Sequence, residues 1–160
     1  MASLAPSALL LGVLAAVALA FATRRTWRTA DPDLFSQATR WTLLLIILQC
    51  LHFSEELATG FHIRFPALFG QPAMPLAVFV LFNLVLIVIW LACLSGIAGR
   101  KRRVLFPLAF LCLAALANMV AHPVFALLGG GYFPGLWTSP VLGIAAIITS
   151  RTLLNLTEPT

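Results

Sequence analysis

Charge is what this sequence has least of. Asp, Glu, Lys and Arg make up 9% of its 160 residues, against roughly 25% in a soluble domain. Residues 65–99 contain none of the four, and neither do residues 104–150. Each stretch exceeds the roughly 20 residues that cross a bilayer core. This scarcity excludes a soluble enzyme and leaves no room for a second, soluble domain. Cysteine is sparse too: Cys50, Cys93 and Cys112 lie in apolar runs without paired spacing, which argues against disulfides and against a thiolate metal site. Lysine occurs once, at Lys101, and tyrosine once, at Tyr132.

What is there is apolar. Hydrophobic residues account for 61% of the chain and the mean hydropathy is +1.02, the composition of an all-α integral membrane protein. A net charge of +5 would point to nucleic acid in a soluble chain. Here the basic residues sit in short connections and act as topology signals, so no nucleic-acid partner is expected. The dominance of arginine among them fits a bacterial cytoplasmic membrane.

Five transmembrane helices are expected. Residues 1–23 form the first, over about Ala5 to Ala22. Its leading segment lacks Lys and Arg, which counts against a cleaved signal peptide, although Ala18-Leu19-Ala20 resembles a cleavage site. A turn at Asp31-Pro32-Asp33 precedes a membrane domain over 38–155 with four further spans. These run about Gln37 to Thr59, Met74 to Ile97, Val104 to Leu128 and Trp137 to Leu156. Gly60 to Pro75 is a connection with room for a short half-helix. Five spans put Arg24, Arg25, Arg28, Arg40, the run Arg100-Lys101-Arg102-Arg103 and Arg151 on one side, and only Arg64 on the other. The positive-inside rule then places the N-terminus outside and the C-terminus in the cytoplasm.

Against this background His52-Phe53-Ser54-Glu55-Glu56 stands out. On a helix Gln49, His52, Glu55, Glu56 and Thr59 share an arc of roughly 120°. An ionised side chain at the bilayer centre costs on the order of 2.5–3.5 kcal/mol on the insertion scale, so such a face must turn inward and find partners. Asn118 and His122, at i and i+4, offer them from the fourth span at a similar depth, and Asn83 reaches that level from the third. Ala114, Ala117 and Ala121 would let the fourth span pack closely on a neighbour. Pro123 leaves the Met119 carbonyl without its helical donor. Tyr132 and Thr138, in and after the Gly129-Gly130-Gly131 break, are in reach of the cluster.

His52-x-x-Glu55-Glu56, Asn118-x-x-x-His122 and Tyr132-x-Pro134-Gly135-x-x-Thr138, in that order on a hydrophobic chain, resemble the HXXEE family of small integral membrane proteins. The resemblance covers about residues 38–155 and implies a site and a topology rather than a reaction. A gluzincin would need His-Glu-x-x-His and its inverted form His-x-x-Glu-His, where this chain has Glu56. Intramembrane prenyl-protein proteases would need Arg where Gly60 stands.

Two chemistries suit the cluster. His52, Glu55, Glu56 and His122 form a nitrogen and oxygen donor set for Zn, Fe or Mn, and a dication would neutralise the two carboxylates. Without one, His/Glu pairs can act as general base and acid, with Tyr132 donating a proton. Asn118, Thr138 and Asn83 would then contact substrate. The substrate would be lipid-soluble: an isoprenoid, sterol-like or acyl lipid. Three functions remain open at this point: a membrane enzyme, a proton- or ion-coupled transporter or channel subunit, and a non-catalytic subunit that binds lipid or a partner. Interhelical hydrogen bonding alone also accounts for residues such as Asn118 and Asn83.

Overall fold

The computed structural model describes residues 5–28 and 32–160, so Asp31 of the expected turn and residues 1–4 of the expected first segment lie outside the described residues. Six α-helices follow in order: α1 (Ala5–Thr23), α2 (Pro32–Ala58), α3 (Phe61–Ala67), α4 (Leu76–Ala98), α5 (Leu105–Leu128) and α6 (Ser139–Leu156). A 3₁₀ turn over Arg102–Val104 leads into α5. Four of the helical segments are long and apolar enough to cross a membrane: Pro32–Ala58, Leu76–Ala98, Arg102–Leu128 and Ser139–Leu156. α1 adds a shorter apolar stretch, Ala8–Thr23.

The elements begin where local chemistry dictates. α2 starts at Pro32, earlier than Gln37, because proline suits a first helical turn and Asp33 complements the positive end of the helix dipole. It ends at Ala58, and Gly60, with a φ of 79°, turns the chain into α3. α6 starts at Ser139 rather than Trp137. The amides of Trp137 and Thr138 are turned away from the helix to bind Glu55.

α2, α5 and α6 form the centre of the bundle, with Leu45, Ile46, Leu108, Leu111, Leu142 and Ala146 buried between them. α1 packs on α5 and α4 on α2. α4 is apolar on all sides, yet Leu81 and Val88 are 64% and 65% exposed. Such a surface fits a lipid solvent rather than water.

Two further features tie the ends of the bundle. A two-stranded antiparallel ribbon pairs β1 (Arg25–Trp27) with β2 (Thr157–Pro159). Its strands are too short for an alternating pattern to announce them. Arg102 joins it by donating to the carbonyls of Arg25 and Thr23 at 3.0 and 2.9 Å. At the opposite end Arg64 donates to the Tyr132 carbonyl at 2.7 Å, binding the connection after α2 to the connection after α5. The polar cluster lies toward this second end.

Gly143 allows α6 to lie against Met119 of α5: a Cβ there would meet Met119 Cβ at 2.5 Å and its Sδ closer still. Gly143→Ala should therefore push the helices apart and cost roughly 1–3 kcal/mol of stability. The measurement is the Tm of purified protein in detergent, beside the lipid-facing control Val88→Ala. An unchanged Tm would contradict this packing.

Candidate metal centre

Glu56 lies between two imidazoles. His52, one helical turn before it on α2, places Nε2 3.5 Å from Glu56 Oε1, and His122 on α5 places its Nε2 at 3.5 Å from the same oxygen. One donor atom from each of the three residues falls within 4.8 Å of the others, and all three side chains are buried. The two rings meet edge to face, 4.7 Å apart at 88°.

The partners on the far side of each ring fix its tautomer. His122 Nδ1 is 2.6 Å from the Pro134 carbonyl oxygen. A carbonyl only accepts, so Nδ1 carries the hydrogen. His52 Nδ1 is 2.7 Å from Thr138 Oγ1, and that hydroxyl gives its own hydrogen to Glu55 Oε2 at 2.6 Å. His52 Nδ1 is therefore also a donor. Both Nε2 atoms are left with lone pairs directed at a carboxylate. Three acceptors facing one another in an apolar bundle require a proton or a cation among them. Asn118 Nδ2, 3.2 Å from His52 Nε2, supplies one donor. A tetrahedral ion with ligands at about 2.0–2.1 Å spaces them about 3.4 Å apart, close to the two distances of 3.5 Å seen here. The Pro134 carbonyl and the Thr138–Glu55 pair stand where the outer partners of metal-bound histidines stand. The donor set thus fits a divalent ion on His52, Glu56 and His122.

Glu55, expected among the ligands, stands apart. Its two oxygens accept from Tyr132 Oη at 2.7 Å, Trp137 N at 3.1 Å, and Thr138 N and Oγ1 at 2.9 and 2.6 Å. Neighbouring helical residues diverge by about 100°, so when Glu56 turns into the bundle Glu55 faces the connection between α5 and α6. Four donors fill its accepting capacity. Tyr132 accordingly contacts Glu55 and not the centre, and Thr138 joins Glu55 to His52. Asn83 donates to the Phe79 carbonyl of its own helix at 3.0 Å and lines the neighbouring cavity.

That cavity, of about 400 Å³, lies among α1, α2, α4 and α5, with Glu56, His122 and Asn118 on its wall and Phe79, Trp90 and Phe110 farther along it. Ala114, Ala117 and Ala121 line it. These small residues leave space where close helix packing was expected.

Two residues of the Tyr132-x-Pro134-Gly135-x-x-Thr138 motif have roles that only the structure gives. Pro134 is one, through its carbonyl. Gly135 is the other: its φ is +87°, and a Cβ there would come within 2.5 Å of His122 Cε1 and 2.7 Å of His52 Cε1. The Pro-Gly pair announces a turn, but not the rings that the turn covers. Phe61, Phe125 and Phe133 surround His122 with ring centroids 5.8, 6.2 and 6.1 Å away.

A family model described as a protein of unknown function with an HXXEE motif matches residues 41–149, more than half of the chain. No curated protein and no solved structure matches it.

Two measurements test this geometry. ¹⁵N spectra should show Nδ1 of both His52 and His122 as the protonated nitrogen. In Thr138→Val, which removes the hydroxyl that holds His52, the His52 signal should become a tautomer mixture, while Thr138→Ser keeps the wild-type pattern. Tyr132 provides a pH test. Partial burial and then its bond to Glu55 push the phenol above its ordinary value of 10. The neutral phenol and its bond are therefore intact at neutral pH and are lost only as the pH rises through that raised value. Absorbance titration of this lone tyrosine should show the upward shift, and Glu55→Gln should reduce it.

Proposed function

The chain belongs to the HXXEE family, and we propose that it is a membrane-embedded enzyme that holds a divalent ion on His52, Glu56 and His122 and acts on a lipid-soluble substrate in the adjoining cavity. The observation that carries this reading is the approach of two imidazole Nε2 atoms, both with lone pairs, to one buried Glu56 oxygen. Mixed nitrogen and oxygen donors suit Zn, Fe or Mn. Held there, the ion supplies Lewis acidity toward a substrate oxygen.

The chain's own residues do the remaining work. Thr138 and Pro134 hold the histidines in the tautomer that directs Nε2 inward. Tyr132 Oη, Glu55, Thr138 Oγ1 and His52 Nδ1 form an unbroken series of hydrogen bonds from the α5–α6 connection to the centre. All the hydrogens in this series point toward Glu55, so it fixes the His52 ring with Nε2 directed inward and makes Glu55 the acceptor for a proton released at His52 Nδ1. Phe133, Pro134 and Gly135 are buried against the centre and limit water. The cavity volume, about 400 Å³, falls within the roughly 300–1,000 Å³ typical of small-molecule sites.

α1 serves as a fifth pass in this reading, with the N-terminus outside. The charge asymmetry supports it: the ribbon end carries Arg24, Arg25, Arg28 and the run from Arg100 to Arg103, the other end Arg64. The centre then lies in the outer half of the membrane. The ion-coupled transport alternative needs a polar path across the bundle. Inward of the centre Leu45, Ile46, Leu108 and Leu111 dominate the core, and the polar side chains buried there, Thr42, Thr149 and Thr152, carry no charge, which favours a pocket open on one side.

Elemental analysis of detergent-purified protein tests the proposal. About one Zn, Fe or Mn per chain should be present in the wild type, lost in Glu56→Gln and His122→Ala, and retained in Glu55→Gln. Protein able to take up divalent ions equally well with and without Glu56 would overturn it.

A further inference from the structure

The cavity beside Glu56 and His122 has a floor. Toward the ribbon end of the bundle, the last residue to line it is Leu14 on α1, Trp90 on α4 and Phe110 on α5. On α2 it is Gln49, whose Oε1 is shielded by its surroundings. Trp90 and Phe110 are only 3% and 9% exposed and belong to the buried core. Trp90 is also fixed across two helices, because its Nε1 donates to the Pro107 carbonyl of α5 at 3.1 Å. Pro107 lies about one helical turn from Phe110, so the two large rings close the cavity at one level.

Away from the floor the wall of α5 changes character. Phe110 and Phe125 stand at its ends, and between them on the same face Ala114, Ala117 and Ala121 line the cavity. Bulk at both ends and small side chains between them leave an elongated space that begins at the polar centre and stops at the rings.

We infer that this space gauges chain length: it takes one straight hydrocarbon chain of about fourteen carbons, with the polar end at Glu56 and His122 and the tip against Leu14, Trp90 and Phe110. This rests on the lipid-soluble substrate proposed for the cavity and narrows its class, and it does not depend on the ion.

Two magnitudes agree on such a chain. His122 and Phe110 are twelve residues apart on one helix, about 18 Å at 1.5 Å per residue. A C–C bond of about 1.5 Å advances a zigzag chain by about 1.3 Å, so roughly fourteen carbons cover that span. The cavity volume is about 400 Å³. At about 30 Å³ for a group the size of a water, this holds roughly thirteen methylenes. A single file of carbons therefore uses up length and volume together. Two acyl chains or a fused ring system of the same length need a wider section. Charge points the same way: no Lys or Arg lines the cavity, so nothing on its wall holds a phosphate headgroup. α1 packs on α5 and α4 on α2, which leaves the side between α1 and α4 for entry from lipid.

The test uses purified protein in detergent and straight primary alkanols of roughly eight to twenty carbons, bracketing the expected length, each with a diazirine at its terminal carbon. Labelled residues are located by peptide mass spectrometry after irradiation. Label on Leu14, Trp90 and Phe110 should peak near fourteen carbons. Shorter chains should label Leu86 and Ala117 instead, and longer ones should label the floor weakly. Ala114→Phe raises the floor by four residues, about 6 Å, and should shorten the preferred chain by about four or five carbons. Val88→Phe adds a ring at a position facing lipid and should leave the peak in place. An excess of unlabelled alkanol of the preferred length should remove the label, and a sterol should not. A wild-type profile indifferent to length, a peak that Ala114→Phe leaves in place, or competition by the sterol equal to that of the alkanol would each overturn the inference. If Ala114→Phe does not fold, the wild-type profile decides alone. Metal content is measured on the same samples. A length peak without metal ends the metal reading and leaves this one standing; a full complement of metal without a length peak does the reverse.

Discussion

Adjacent carboxylates inside an apolar bundle impose opposite demands, and the molecule resolves them by separating the pair. Glu55 turns to the connection between α5 and α6, where backbone amides and hydroxyls saturate it. Glu56 turns inward to the two imidazoles. Each needs what the other cannot share: hydrogen-bond donors for the first, and a proton or cation for the second. The position of α6, the shape of the preceding connection and the tautomers of both histidines all follow from that division.

The arrangement is also strongly sided. The buried histidines and acids gather at the end where Arg64 holds the Tyr132 carbonyl, while the opposite half is mainly aliphatic, and its buried Thr149, Thr152 and Thr157 give their hydroxyls to backbone carbonyls. Concentrating the electrostatic cost in one layer leaves the rest of the bundle free to pack by shape. It also leaves room for a cavity, because Ala114, Ala117 and Ala121 withdraw side-chain volume from the wall beside the histidines.

Much of this was legible in the chain. Charge-free stretches gave the long apolar helices, and helical periodicity put His52 and Glu56 on one face. Their meeting with His122 followed from depth along the helices. Other parts were hidden for physical reasons. Residues one step apart on a helix look equivalent in a motif, although a 100° rotation sends Glu55 and Glu56 to different surroundings. The Pro134 carbonyl acts through the backbone, which every residue possesses. Gly135 is required by the approach of two rings from helices remote in sequence. The β1–β2 ribbon is too short for a periodic signal, and the alanines of α5 read equally well as close packing or as empty space.

The hydrogen bond between His52 and Thr138 spans 86 residues of chain. At about 5–20 residues per second of synthesis, α2 is made roughly 4–17 s before the hydroxyl that orients its histidine. Until α6 arrives, the acids and imidazole of α2 must be sheltered by water, by the insertion machinery or by shared protons. The centre is therefore assembled last, after every helix that contributes to it has been made.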